Sequence, residues 1–143
     1  MAVVHKTVFI GYSAAQMFAL VEQVEKYPEF LPWCGEVKVG ERTETNLTAT
    51  LAINFHGIRQ SFTTKNINQP PHSMQMSLVD GPFKQLSGGW KFTELRPDAC
   101  KIEFDLNYDF SSKLLEHVIG PVFSKIANSF VDSFCSRAEA IYA

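Results

Sequence analysis

The chain has 143 residues, enough for one buried core and too few for two, so a single domain spanning 1–143 is expected. A hydrophobic fraction of 45% with 20% charged residues excludes the disordered and fibrous classes, and a net charge of −2 with Lys and Arg scattered singly argues against DNA as a partner. Cys34, Cys100 and Cys135 form no Cys-x-x-Cys pair and are odd in number, which points to a reducing, cytoplasmic setting rather than a disulfide framework or a zinc ribbon.

The N-terminus runs directly into a β-branched segment, Val3 to Ile10, which reads as a first strand ending at Gly11; no signal peptide is expected. Ser13 followed three residues later by Gln16 is a capping box, and Ala14, Met17, Phe18, Val21 and Val24 then recur at helical spacing. The next stretch, Glu25 to Cys34, holds Pro28 and Pro32 among large aromatics and reads as a short helical turn plus loop. Its bulky groups, Tyr27, Phe30, Leu31 and Trp33, are expected to pack inward or onto a partner.

From Gly35 the period changes to two. Val37 and Val39 begin it, and Leu47, Ala49, Leu51, Ile53 and Phe55 then alternate with polar residues up to Gly57. Ile58 to Asn68 gives another strand, Pro70-Pro71 breaks it, and Met74, Met76 and Leu78 alternate in the next. Asp80-Gly81-Pro82 is a turn. Phe83 to Leu95 follows, with Gly88-Gly89 suggesting a bulge or a sharp bend of the sheet. The last strand alternates most regularly, with Cys100, Ile102, Phe104, Leu106, Tyr108 and Phe110 on one face and Glu103, Asp105 and Asp109 on the other. A long helix is predicted from about Ser112 to Tyr142, its apolar stripe made by Ile119, Val122, Phe123, Ile126, Phe130, Phe134, Ala138 and Ile141, with a kink or restart at Gly120-Pro121. No stretch reaches the ~20 apolar residues that span a bilayer.

The element order predicts an α+β fold: a curved antiparallel meander of six to seven strands whose apolar face is covered by the terminal helix. One helix across a wide sheet leaves room, and pockets of about 300–1,000 Å³ are where small-molecule sites form. With 12 Phe the chain carries more aromatic material than its size requires, and such walls suit a hydrophobic ligand.

The segments Tyr27-Pro28-Glu29-Phe30-Leu31-Pro32-Trp33-Cys34, Asp80-Gly81-Pro82-Phe83-Lys84 and Gly120-Pro121-Val122-Phe123, in this element order, resemble the START-like (SRPBCC) helix-grip superfamily. Within it they are most similar to the group that joins coenzyme-Q-binding proteins to RatA-type ribosome association toxins. The resemblance covers the whole chain. It implies a hydrophobic tunnel under the C-terminal helix that takes ubiquinone or a similar polyprenyl lipid and supports respiration. In the RatA-type members it implies binding of the large ribosomal subunit and a block of subunit joining and translation initiation. A third implied class is the aromatase and cyclase enzymes.

On these readings the candidate ligand-binding residues are Tyr27, Phe30, Leu31 and Trp33 at the tunnel mouth, unless they simply pin the connection to the core. The sheet adds Phe55, Phe62, Met76, Trp90, Phe104, Leu106 and Tyr108, and the helix adds Val118, Val122, Phe123, Ile126 and Phe130; each has packing as its plainer explanation. Tyr108 and Trp90 are the main polar handles, which argues against an enzyme. No cofactor is expected, the quinone being a bound ligand. His5, His56, His72 and His117 are too dispersed for a metal site. Cys34 is reactive only if a cation lowers its pKa, and Lys38 is the one neighbour available. The partners admitted are a hydrophobic small molecule of the quinone or isoprenoid class, the membrane by peripheral contact, and the large ribosomal subunit.

Overall fold

In the computed structural model, which describes residues 2–143, the chain runs β1 (Ala2–Ile10), α1 (Ala14–Glu22), a 3-10 helix (Val24–Glu29), then β2 (Cys34–Arg42), β3 (Asn46–Phe55), β4 (Ile58–Gln69), β5 (Ser73–Asp80), β6 (Phe83–Arg96), β7 (Ala99–Phe110) and α2 (Lys113–Tyr142). The strands form one antiparallel sheet in the order β1-β7-β6-β5-β4-β3-β2. Six strands are therefore a meander, and the first strand closes onto the last, with Val4 opposite Leu106.

Local chemistry fixes the boundaries. The Ser13 hydroxyl accepts from the Gln16 N–H while the Gln16 side chain accepts from the Ser13 N–H, so both orphan donors at the start of α1 are satisfied. Ser112 caps α2 in the same way, accepting from the Leu115 N–H at 3.1 Å. The β3–β4 hairpin turns on His56 and Gly57, both at positive φ (51° and 79°), the backbone that matches a two-residue loop to the twist of its strands.

Gly88 and Gly89 do not form a bulge. Pairing from Ser87 to Trp90 runs in unbroken register against Asn107 to Phe104, and the register shifts of β6 lie near its two ends. What the glycines permit is close approach, since a Cβ on Gly88 would lie 2.1 Å from the Asp105 carbonyl oxygen. Nor does α2 restart at Pro121: it is helical from Lys113 to Tyr142. The donor that proline lacks would have served the carbonyl of His117, and both residues are exposed, so water can take its place.

The core lies between the inner face of the sheet and the two helices. Phe104, Phe134, Met17, Ile102 and Phe92 are among its fully buried members, each contributing roughly 1.5–3 kcal/mol by leaving water. In the apolar stripe of α2, Ile119, Phe123, Ile126, Phe134 and Ala138 are buried together with Ala127 and Val131, Val122 and Phe130 are half-buried, and Ile141 is 50% exposed. Tyr142 nonetheless ties the last turn to α1, donating to the Gln16 carbonyl at 2.8 Å.

Candidate ligand-binding site

The stretch around the two prolines is held by rings and by ions. Tyr27 is buried and donates to the Val21 carbonyl, and its ring meets Phe30, Phe130 and Phe134 edge-on. Burial holds its phenol well above the ordinary value, so it stays protonated. Arg137 of α2 reaches Glu29 at 2.9 Å and sits 5.0 Å from the centre of the Phe30 ring. Arg42 of β2 clasps the other side through Glu25 at 2.9 Å. These contacts fix Trp33 beneath α2, 6.1 Å from Phe130.

A cavity of about 60 Å³ opens there, between α2 and the inner face of the sheet. Leu51 of β3, Phe62 of β4, Met76 of β5, Leu86 of β6 and Phe104 and Leu106 of β7 form its floor. Phe123, Ile126, Ala127 and Phe130 of α2 form its roof, and Val24, Tyr27 and Trp33 close one end. Phe62, Met76 and Phe130 keep partial exposure while the rest of the wall is buried, which places the mouth beside these three.

The lining has one polar corner and no charged side chain. Thr64 and Asn66 of β4 are 5% and 3% exposed. The Thr64 hydroxyl donates to Asn66 Oδ1 at 2.9 Å, and Asn66 Nδ2 has the Met74 thioether at 3.7 Å, a weak acceptor. Trp33 Nε1 is buried with no hydrogen-bond partner among the described residues. An orphaned buried donor costs about 1–3 kcal/mol.

Of the residues singled out in the sequence, Tyr27, Trp33, Phe62, Met76, Phe104, Leu106, Phe123, Ile126 and Phe130 border this cavity. The others lie off it. Leu31 is buried in the core, and Phe30 packs against Phe134 under Arg137. Phe55 lies against His56 at the hairpin, the two rings tilted by 51°. Trp90 lies behind Phe104 and Phe130, and Tyr108 is wedged between Phe83 and Phe123. Val122 is half-buried against the core, and Val118 is 47% exposed. Thr64 and Asn66 were missed because hydrophobic patterning does not mark polar residues. The signal was the period of two on β4, which puts them on the face of Phe62.

Other candidates resolve simply. Cys34 is buried and its thiol is pushed up to about 11, the opposite of an activated nucleophile. All four histidines are exposed, and no cluster of metal-ligating side chains occurs among the described residues. Glu103 and Asp105 point away from the core, paired with Lys101 and His5. No helix is long and apolar enough to cross a membrane among the described residues.

A curved seven-stranded sheet closed by a long C-terminal helix over an apolar cavity defines a START-like, helix-grip domain. Residues 10–135 match the polyketide cyclase / dehydrase and lipid transport family, and the chain belongs to it. It is 45% identical over 140 residues to the persistence and stress-resistance toxin PasT of Escherichia coli, covering 98% of this chain and 89% of that protein. It is 44% identical over 139 residues to the ribosome association toxin RatA of Vibrio cholerae, covering 97% and 96%. A mitochondrial coenzyme Q-binding protein of Xenopus laevis is 28% identical over 137 residues, covering 93% of this chain and 56% of that one. Among solved structures, an 18 kDa protein of Caulobacter crescentus superposes with a TM-score of 0.76 at 28% identity, covering 99% of each chain. A Streptomyces aromatase/cyclase superposes with a TM-score of 0.80 at 15% identity, covering 96% and 93%, a likeness of fold alone.

Proposed function

We propose that this protein is a non-enzymatic binder of a hydrophobic small molecule, a quinone or another polyprenyl lipid, held between the sheet and α2. The observation that carries the reading is the wall itself: aromatic and aliphatic, free of charge, with a single polar corner. It suits a ligand that is mostly apolar, offers too few polar groups to hold a sugar, and gives a phosphate no counter-charge. The family includes lipid transport beside its cyclases and dehydrases, and the lipid-transport part and the Xenopus relative's name agree with this reading. Acid–base catalysis has no support in this wall, because its one ordinarily titratable group, the Tyr27 phenol, is committed to Val21 and held protonated.

The cavity's 60 Å³ holds about two waters, so a quinone ring enters only by displacing part of the wall. Met76 is unbranched and adaptable, and with Phe62 and Phe130 it is already partly exposed. The lipid would be exchanged with a membrane by peripheral contact from the cytoplasm, in support of respiration. The test is mass spectrometry of the organic extract of protein purified without detergent from a quinone-producing host. A quinone-to-protein ratio well above that of a matched control supports the reading, and a ratio equal to the control's refutes it.

Identities of 44–45% to proteins named as a ribosome association toxin and a persistence toxin favour a second reading, in which the protein acts on the ribosome. This predicts co-sedimentation with the large subunit and a loss of joined ribosomes on overproduction. Sedimentation with neither subunit would remove it, whatever the extract contains.

A further inference from the structure

We infer that the cavity takes its ligand head first and selects a neutral head group bearing an oxygen acceptor, a carbonyl above all, which receives a hydrogen bond from Trp33 Nε1. The inference rests on the ligand-binding reading and adds the orientation and chemistry of the bound head. Trp33 borders the cavity, is 3% exposed, and its indole N–H has no partner among the described residues. Buried N–H groups are rarely left orphaned, whereas an oxygen with one unused lone pair is common. The demand at Trp33 is therefore for an acceptor. Asn66 repeats it: its oxygen already accepts from Thr64, while its amide N–H meets only a thioether.

Charge narrows the class further. With no Lys, Arg or His in the lining, a carboxylate or phosphate would be buried without a counter-charge. A plain hydrocarbon would leave Trp33 and Asn66 unmet. A quinone, ketone or ester oxygen satisfies both conditions, and its apolar tail then leaves through the mouth beside Phe62, Met76 and Phe130. Trp90 Nε1 is also without a partner among the described residues, but Trp90 does not border the cavity, so it serves as an internal reference.

The chain holds only two tryptophans, so proton–nitrogen NMR of the whole protein shows two indole signals. Titration with a decyl-tailed dimethoxybenzoquinone should move the Trp33 indole proton downfield and slow its exchange, while the Trp90 signal moves little. Trp33→Phe should weaken that quinone about tenfold, the loss of about one hydrogen bond. It should leave dodecylbenzene, a probe of similar shape with no acceptor, unchanged; if this variant does not fold, the wild-type indole shift decides alone. Saturable quinone binding with the Trp33 proton unmoved overturns the head-first orientation and leaves the ligand-binding reading intact. No quinone binding by the wild-type chain overturns both.

Discussion

At Gly88 an added Cβ would sit 2.1 Å from the Asp105 carbonyl oxygen, inside the contact distance of any non-bonded pair. The collision is with backbone rather than a flexible side chain, so Gly88→Ala should cost about 3 kcal/mol or more in urea denaturation. Gly11, with nothing within 4 Å, should accept Ala within about 0.5 kcal/mol. Equal midpoints for the two variants would show that the strands can part at no cost. Protonation sets a second expectation. Burial raises the Cys34 and Cys100 thiols from 9.0 to about 11 and lifts the Tyr27 phenol above 10.0. Below pH 9 both states keep these protons; above it the unfolded chain releases them first, so stability falls as pH rises toward 11. Denaturation midpoints measured from pH 7 upward should decline beyond 9, and Cys100→Ala should decline less steeply.

Among the elements, α2 and the 3-10 helix meet at Phe134, which is fully buried and lies 5.1–5.3 Å from the rings of Phe30, Phe130, Trp90 and Tyr27. Phe134→Ala should cost about 3–5 kcal/mol, against no more than about 0.5 for Ile141→Ala, whose side chain is half-exposed. Urea denaturation of the pair checks both, and similar losses would mean that the aromatic crossing is not what seats the segment around Trp33. The helical period gave the location of this stripe directly. It misjudged Ile141, which is half-exposed, because periodicity says which way a residue faces but not whether anything packs opposite it. Of the kink or restart expected at Gly120-Pro121, the restart does not occur, because the lost hydrogen bond falls on exposed residues and the helix continues without it.

For the molecule as a whole, the cavity draws on the 3-10 helix, five strands and α2, parts far apart in the chain, so the unfolded state has no site. A ligand that binds only the folded chain stabilises it, by about 2.7 kcal/mol at a hundredfold excess over Kd. Thermal unfolding with the decyl-tailed quinone should therefore shift upward with the logarithm of its concentration; a constant midpoint would count against the ligand-binding reading. The sequence by itself determined the strands, the cap of α1, the meander and most of the aromatic wall, since alternation, capping pattern and helical spacing are local properties that each segment carries alone. The family resemblance was likewise written in the spaced prolines and aromatics between Tyr27 and Cys34. Only the tertiary structure decided which inward residues border empty space and which fill the core. Trp33 and Trp90 are both ligand candidates in the sequence, yet one borders the cavity and the other packs against Phe104 off it. It also set the cavity's small volume and its polar corner at Thr64 and Asn66. Those depend on how closely α2 settles onto the sheet, a balance of side-chain volumes summed across distant segments that no local period encodes.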